Sequence, residues 1–290
     1  MTKLIVSRPR CERVKHDENS DCAYRIAWSI NPHMQIGATN TALAVRQHAS
    51  LVRSLRQAGA DVEIMPFVHG AFDSVFTKDS AIVTGMRALL ASPRHPERVR
   101  EQDSRWRDLA DAGFEVTAPL DVPLEGGDVV IDGDVALLGY GFRSSVRAAP
   151  RLSVFLGRDV LPLDLRDPML YHLDTALTVL ADGTVLFAEE AFSSGALRAL
   201  ARLPAARLRT VPHADALAFG LNVVEVGDAI ITGTRSATMD ALWRSLGKRV
   251  IYTPLDQFQR AGGSAACLVA KIHQDLVAES ATTAILSTAA

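Results

Sequence analysis

The chain has 290 residues, 48% of them hydrophobic and 22% charged, with a formal charge of −2. Such a composition supports a large buried core and leaves no basic excess for gripping a nucleic acid. No apolar run is long enough to span a bilayer, and the opening Met1–Arg8 holds only three consecutive apolar residues, too few for a secretory core, so a soluble cytoplasmic protein is expected.

The N-terminal stretch carries Cys11 and Cys22, which with Cys267 make three widely spaced cysteines; this pattern is neither a disulfide framework nor a zinc motif. An amphipathic helix is predicted over Thr41–Ala58, which carries apolar residues at Leu43, Val45, Leu51 and Leu55, with Gly59 ending it and a strand following at Val62–Met65. Four stretches then share a plan of polar anchor, apolar run, short turn and second apolar run. They begin at Asp79, Asp128, Asp174 and Asn222, and Asp132-Gly133 and Asp182-Gly183 supply turn chemistry for two of them. Further helices are predicted at Pro96–Ala112, Ser144–Leu156, Ser193–Leu203 and Ser236–Leu246.

The anchors recur at a nearly constant spacing that extends backward to Asn31 and forward to Cys267. A period of this length predicts modules set around an axis, here five ββαβ units that close when the last strand pairs with the first segment. The expected fold is therefore an α/β propeller of five modules filling residues 1–276, with a tail at 277–290. Closure would bring Asp79, Glu125, Asp128, His172, Asp174, Asn222 and Cys267 into one small volume.

Several of these residues have chemical promise. Cys267 follows a Gly262-Gly263 pair and small residues that leave room around a sulfur, although a cysteine before Leu-Val also suits a core. His172 and Asp174 share a face if their segment is extended, which suits a general acid/base beside a carboxylate and equally a histidine satisfied at a strand edge. Glu125-Gly-Gly-Asp128 and Phe76-Thr-Lys-Asp79 place acids just before strands, where plain turns would also serve.

Taken in order, F-T-K-D, L-E-G-G-D, H-L-D-T and G-G-S-x-x-C resemble the guanidine-modifying enzymes: arginine deiminases, dimethylarginine dimethylaminohydrolases and amidinotransferases. The resemblance spans about residues 30–270 and implies a five-bladed α/β propeller. It makes Cys267 the nucleophile, His172 the general acid/base and Glu125 the acid supporting that histidine. Asp79 and Asp174 would hold the guanidinium. Arg98, from Ser92–Arg98, and Arg143, from Gly139–Ser145, match the carboxylate-binding arginines of dimethylarginine hydrolases, and Asp73 matches another substrate contact there.

The implied reaction is attack by Cys267 on the guanidinium carbon, an amidino-cysteine intermediate and hydrolysis to a ureido product, without metal or organic cofactor. The only partner expected besides a second copy in a homodimer is a small guanidino substrate. Methylarginine hydrolases usually have an acid at Lys78 and a lysine at Asp174, and these two positions look more like an arginine deiminase. The chain is too short for the deiminases' helical insertion, and the Arg98 and Arg143 segments favour the dimethylarginine branch. Ser29–Met34 resembles the arginine dihydrolases, which usually carry asparagine where Asp79 stands. Arginine hydrolysis, amidino transfer to an amine, and a propeller that merely binds arginine-like ligands are the alternatives.

Overall fold

The computed structural model describes residues 1–12 and 21–273. The expected boundary at residue 276 and the tail after it lie outside the described residues.

The described chain builds five three-stranded sheets. Strands β1 (Lys3–Ser7) and β2 (Asp61–Met65) pair in parallel across the helix Thr41–Gln57. Four complete modules follow. Strands β3 (Ala81–Thr84) and β4 (Arg87–Leu90) form a hairpin, and β5 (Glu115–Thr117) returns parallel to β4. The plan repeats in β6 (Val129–Asp132), β7 (Val135–Tyr140) and β8 (Asp159–Asp164), then in β9 (Leu177–Val179), β10 (Val185–Phe187) and β11 (Leu208–Thr210). It repeats again in β12 (Val224–Val226), β13 (Ala229–Thr232) and β14 (Arg249–Tyr252). Finally β15 (Val269–Lys271) pairs antiparallel with β1, so the two ends of the chain complete the fifth sheet. The ββαβ unit and the predicted closure are both present.

Sequence chemistry accounts for the local geometry. The hairpin turns place Gly85, Gly133, Gly183 and Gly227 at φ between 53° and 83°, a region that costs glycine nothing. The helix Thr41–Gln57 is capped by Asn40, whose side chain accepts from the Leu43 N–H, and it buries Leu51 and Leu55 against the closing sheet. The first strand of each module is mostly apolar and lies toward the axis. Those strands line an axial space running from Lys78 and Asp174 at one end to Glu225, Lys271 and His273 at the other.

Two predicted helices are shorter than their apolar pattern suggested. Pro96–Ala112 is broken into Pro96–Val99 and Gln102–Asp111, and the break lets Arg98 and Glu101 turn inward as a buried ion pair. The helix predicted from Ser144 begins at Ala149, after a 3₁₀ turn at Val146–Ala148. Ser144 is diverted because its N–H binds Asp128 and its hydroxyl accepts from the Glu125 N–H.

Candidate active site

Each anchor lies in a short turn just before the first strand of its module. Asp79 is in the 3₁₀ turn Thr77–Ser80, Asp128 closes Gly126–Asp128, and Asp174 lies in the single helical turn Leu173–Ala176. The extended geometry expected for His172–Asp174 therefore ends at His172, which caps that turn. The helical turn, not a strand face, aims Asp174 at the axis. The turns interlock: the Gly127 N–H donates to Asp79 Oδ1 (3.0 Å), Leu173 N–H to Asp128 Oδ1 (3.1 Å) and Ser264 N–H to Asn222 Oδ1 (3.0 Å). Lys78 N–H closes the circle on the carbonyl of Cys267 (3.2 Å).

This interlocking requires the glycines of E-G-G-D. A Cβ on Gly126 would stand 1.9 Å from the Lys78 carbonyl oxygen, and one on Gly127 would stand 2.6 Å from Asp79 Oδ1 and 2.7 Å from His172 Nδ1. In the C-terminal motif, Gly263 packs where a Cβ would strike the Phe76 ring at 2.6 Å. Gly262 adopts φ 87°, and its carbonyl accepts from the Tyr171 hydroxyl (2.9 Å).

His172 is buried. Its Nε2 meets Glu125 Oε2 at 3.0 Å, while Nδ1 lies 3.6 Å from Asp79 Oδ1 without a hydrogen bond. Burial opposes protonation of the ring, but Asp79, Asp128 and Glu125 outweigh it and raise the histidine to about 9. The Glu125 carboxyl is itself held low: the hydrogen bond from His172 and the charges of Arg143 and His172 overcome its burial. At neutral pH the pair is an imidazolium–carboxylate.

Cys267 is buried, with Sγ 3.7 and 3.6 Å from the two oxygens of Asp174 and 3.2 Å from the amide nitrogen of Asn222. Burial together with Asp174 and Asp79 pushes the thiol well above its usual range, against the opposing effects of Asn222 and Lys78. Lys78 Nζ lies 3.6 Å from Asp174, and burial raises that carboxyl against the charges of Lys78 and His172.

A narrow pocket leads to Cys267 and is walled by Asp73, Asp79, Arg98, Arg143, Tyr171 and Asn31. Arg98 reaches Asp79 Oδ2 (3.1 Å) and pairs with Glu101; Arg143 reaches Glu125 Oε2 (3.1 Å), donates to the Ile30 carbonyl (3.0 Å) and stacks on Tyr171. Both arginines thus neutralise acids of the site as well as lining it. Asp73 accepts from the Trp28 indole (2.6 Å), its other oxygen is buried without a partner, and burial lifts it to about 6. Asp79, Glu125 and His172 offer ligating atoms within 4.8 Å of one another, but an added dication there would face the fixed charges of Arg98 and Arg143.

All eight residues singled out in the sequence converge on this region. Trp28, Tyr171 and Glu101 also belong to the site, without standing out in the sequence. Glu101 had a legible signal, an acid three residues after Arg98 in a helical pattern, whereas Trp28 meets Asp73 only through tertiary contact.

Residues 29–274 match the family model described as "N,N dimethylarginine dimethylhydrolase, eukaryotic". The chain belongs to the dimethylarginine dimethylhydrolase family. It is 32% identical over 252 residues to the N(G),N(G)-dimethylarginine dimethylaminohydrolase of Mycobacterium tuberculosis, covering 86% of this chain and 83% of that protein. It is also 33% identical over 261 residues to the bifunctional arginine dihydrolase/ornithine cyclodeaminase ArgZ of a Synechocystis species, covering 88% of this chain but 37% of that longer protein. The N-terminal domain of ArgZ, solved as a cysteine-to-serine mutant bound to substrate, superposes with a TM-score of 0.87 at 30% identity over 94% of this chain and 99% of that domain. A dimethylarginine dimethylaminohydrolase adduct gives a TM-score of 0.73 at 20% identity over 93% of this chain and 99% of that one, a likeness of fold. The family is one of amidine-hydrolysing enzymes within the guanidine-modifying superfamily, and the five-module architecture is shared across it.

Proposed function

We propose that this protein hydrolyses the guanidinium group of a methylated arginine, turning dimethylarginine into citrulline and dimethylamine, with Cys267 as nucleophile. The carrying observation is a buried thiol set against Asp174 at the end of a pocket that also presents Asp79 and adjoins the His172–Glu125 ion pair.

A guanidinium is a planar cation that carboxylates grip by paired N–H···O bonds. Its arrival between Asp79 and Asp174 offsets the two charges that hold the thiol protonated, so substrate binding itself favours the thiolate. The sulfur adds to the guanidinium carbon, and the C–N bond to dimethylamine breaks as that nitrogen takes a proton. His172 Nδ1 delivers the proton, because Nε2 is engaged with Glu125 and Nδ1 is unpartnered. The same nitrogen then accepts a proton from water as it attacks the amidino-cysteine. The C–S bond breaks to release citrulline and restore the thiol. At the other end of the pocket the open oxygen of Asp73 suits an α-ammonium, and the guanidinium charges of Arg98 and Arg143, which line it, suit an α-carboxylate.

Asp174 favours a second reading, hydrolysis of unmodified arginine. Its carboxylate faces the sulfur instead of turning to a backbone amide, so a methylated nitrogen on that edge leaves an acceptor poorly matched. The test is a product assay on arginine, monomethylarginine and asymmetric dimethylarginine, measuring citrulline and the released amine. Citrulline with dimethylamine from the methylated substrate at the highest kcat/KM supports the first reading. A higher kcat/KM for arginine replaces it with the second, and no ureido product from any substrate removes both.

A further inference from the structure

Cys11 and Cys22 stand eleven residues apart and outside the site motifs, yet the fold brings them into contact. Arg10 and Ala23 form an antiparallel bridge, the Cys11 N–H donates to the Cys22 carbonyl (2.8 Å), and the Tyr24 N–H donates to that of Pro9 (2.8 Å). This short ladder directs both side chains to one spot, with the two sulfurs 2.7 Å apart. Both thiols are partly exposed, whereas Cys267 is buried. The backbone has thus already met the approach that a disulfide requires.

The segment leaving Cys22 becomes one wall of the substrate pocket. Tyr24 is buried against Phe76 and Phe258. Trp28 then binds Asp73, the Ile30 carbonyl accepts from Arg143, and Asn31 donates to the Ala261 carbonyl (2.9 Å). Whatever fixes the base of this segment fixes the residues that set the orientations of Asp73 and Arg143.

We propose that Cys11 and Cys22 form a reversible disulfide site, oxidised by low-molecular-weight disulfides of the glutathione class, and that the disulfide pre-organises the Trp28–Asn31 wall of the pocket. Cys22 attacks the external disulfide, forming a mixed disulfide and releasing one thiol. Cys11 then attacks the Cys22 sulfur, closing the protein disulfide and releasing the second thiol. One external disulfide is reduced to two thiols as the protein loses two hydrogens. This order suits the elevation of Cys11 to about 12 by burial and by its contact with Cys22, which makes Cys11 the poorer first nucleophile.

The experiment treats the full chain carrying Cys267→Ser with glutathione disulfide and follows the intact mass under denaturing conditions. The expected result is loss of two hydrogens, reversed by dithiothreitol, with Cys11→Ser instead retaining one glutathionyl group on Cys22. Stable glutathionyl adducts on both cysteines, or no modification, would overturn the proposal. The kinetic arm uses the wild type and rests on the guanidino-hydrolase reading, whereas the mass arm does not. KM is expected to fall severalfold on oxidation with kcat unchanged. Peptide mapping identifies any fall in kcat caused by modification of Cys267. A disulfide that forms but leaves KM unchanged would overturn the link to the pocket.

Discussion

Asp128 and Asp174 occupy equivalent places in consecutive modules, each in a turn before an apolar strand, and both are buried. Asp128 is consumed by the fold: it accepts from the backbone of Leu173 and Ser144 and ties its own module to the next. Asp174 receives no backbone N–H among the described residues and faces Lys78 and Cys267. Asn222 and Cys267 repeat the contrast, since Asn222 accepts from the N–H groups of Ser264 and Cys267 while the cysteine sulfur faces the site. Asp79 does both, with one oxygen on Gly127 and the other on Arg98. One repeat position thus supplies both staples and reactive groups. What separates them is whether the neighbouring turn offers a backbone donor.

The largest test of that contrast removes the sulfur. Cys267→Ser should lower turnover to below about a thousandth of wild type, since an alcohol is a far weaker nucleophile than a thiolate, while thermal unfolding stays close to wild type. Activity near the wild-type level would place Cys267 with the staples.

His172→Ala should lower turnover by about a hundredfold to ten-thousandfold and still let the thiol add slowly to substrate. Mass spectrometry of the mutant after incubation should detect an amidino adduct or unmodified protein, without sustained product. A normal steady-state rate would remove His172 from the mechanism.

Specificity distinguishes the free acid from the stapled one. Asp174→Lys sets two ammonium groups against each other, and the double change Lys78→Glu with Asp174→Lys restores the pair in reverse. If Asp174 reads an N–H of the substrate, its loss costs about 1.5–3 kcal/mol for a charge-assisted bond. The ratio of kcat/KM for arginine over asymmetric dimethylarginine should then drop about tenfold to hundredfold in the double mutant. An unchanged ratio would show that Asp174 does not touch the guanidinium.

The His172–Glu125 pair predicts a pH dependence. The folded histidine, at about 9, lies above its unfolded value, so its stabilisation is complete below about pH 6.5 and is lost as pH rises through 9. Unfolding free energy should decline by about 3 kcal/mol across that window, and Glu125→Gln should flatten the decline. A wild-type stability that is level from pH 6.5 to 9.5 would contradict the ion pair.

At the staple the expected effect falls on stability instead of turnover. Asp128→Ala leaves two buried N–H groups unsatisfied and should cost about 2–4 kcal/mol in chemical denaturation, whereas Asp128→Asn keeps one acceptor and should cost less. Equal losses from both would mean that charge, not hydrogen bonding, holds the turn.

Much of the architecture was legible because it repeats. The anchors at Asp79, Asp128, Asp174, Asn222 and Cys267 and the turn glycines between strand runs specified ββαβ modules, and the five sheets bear that out. The broken helix at Arg98 was not legible, because its apolar periodicity continues through the break and the buried ion pair with Glu101 that the break accommodates leaves no mark on that pattern. The geometry of His172–Asp174 was misjudged for a related reason: two residues carry no local signal that separates a strand from a single helical turn.

By itself the sequence determined the module, its number and the kinds of side chain brought to the axis, since these follow from periodicity and from glycine and capping chemistry encoded locally. Only the tertiary structure decided which anchors became staples and which stayed free, that Arg98 and Arg143 neutralise site acids, and that Cys11 meets Cys22. Those outcomes depend on which backbone donor or charge arrives from a segment tens to hundreds of residues away. Burial then makes each unmatched group costly enough for such arrivals to govern its state.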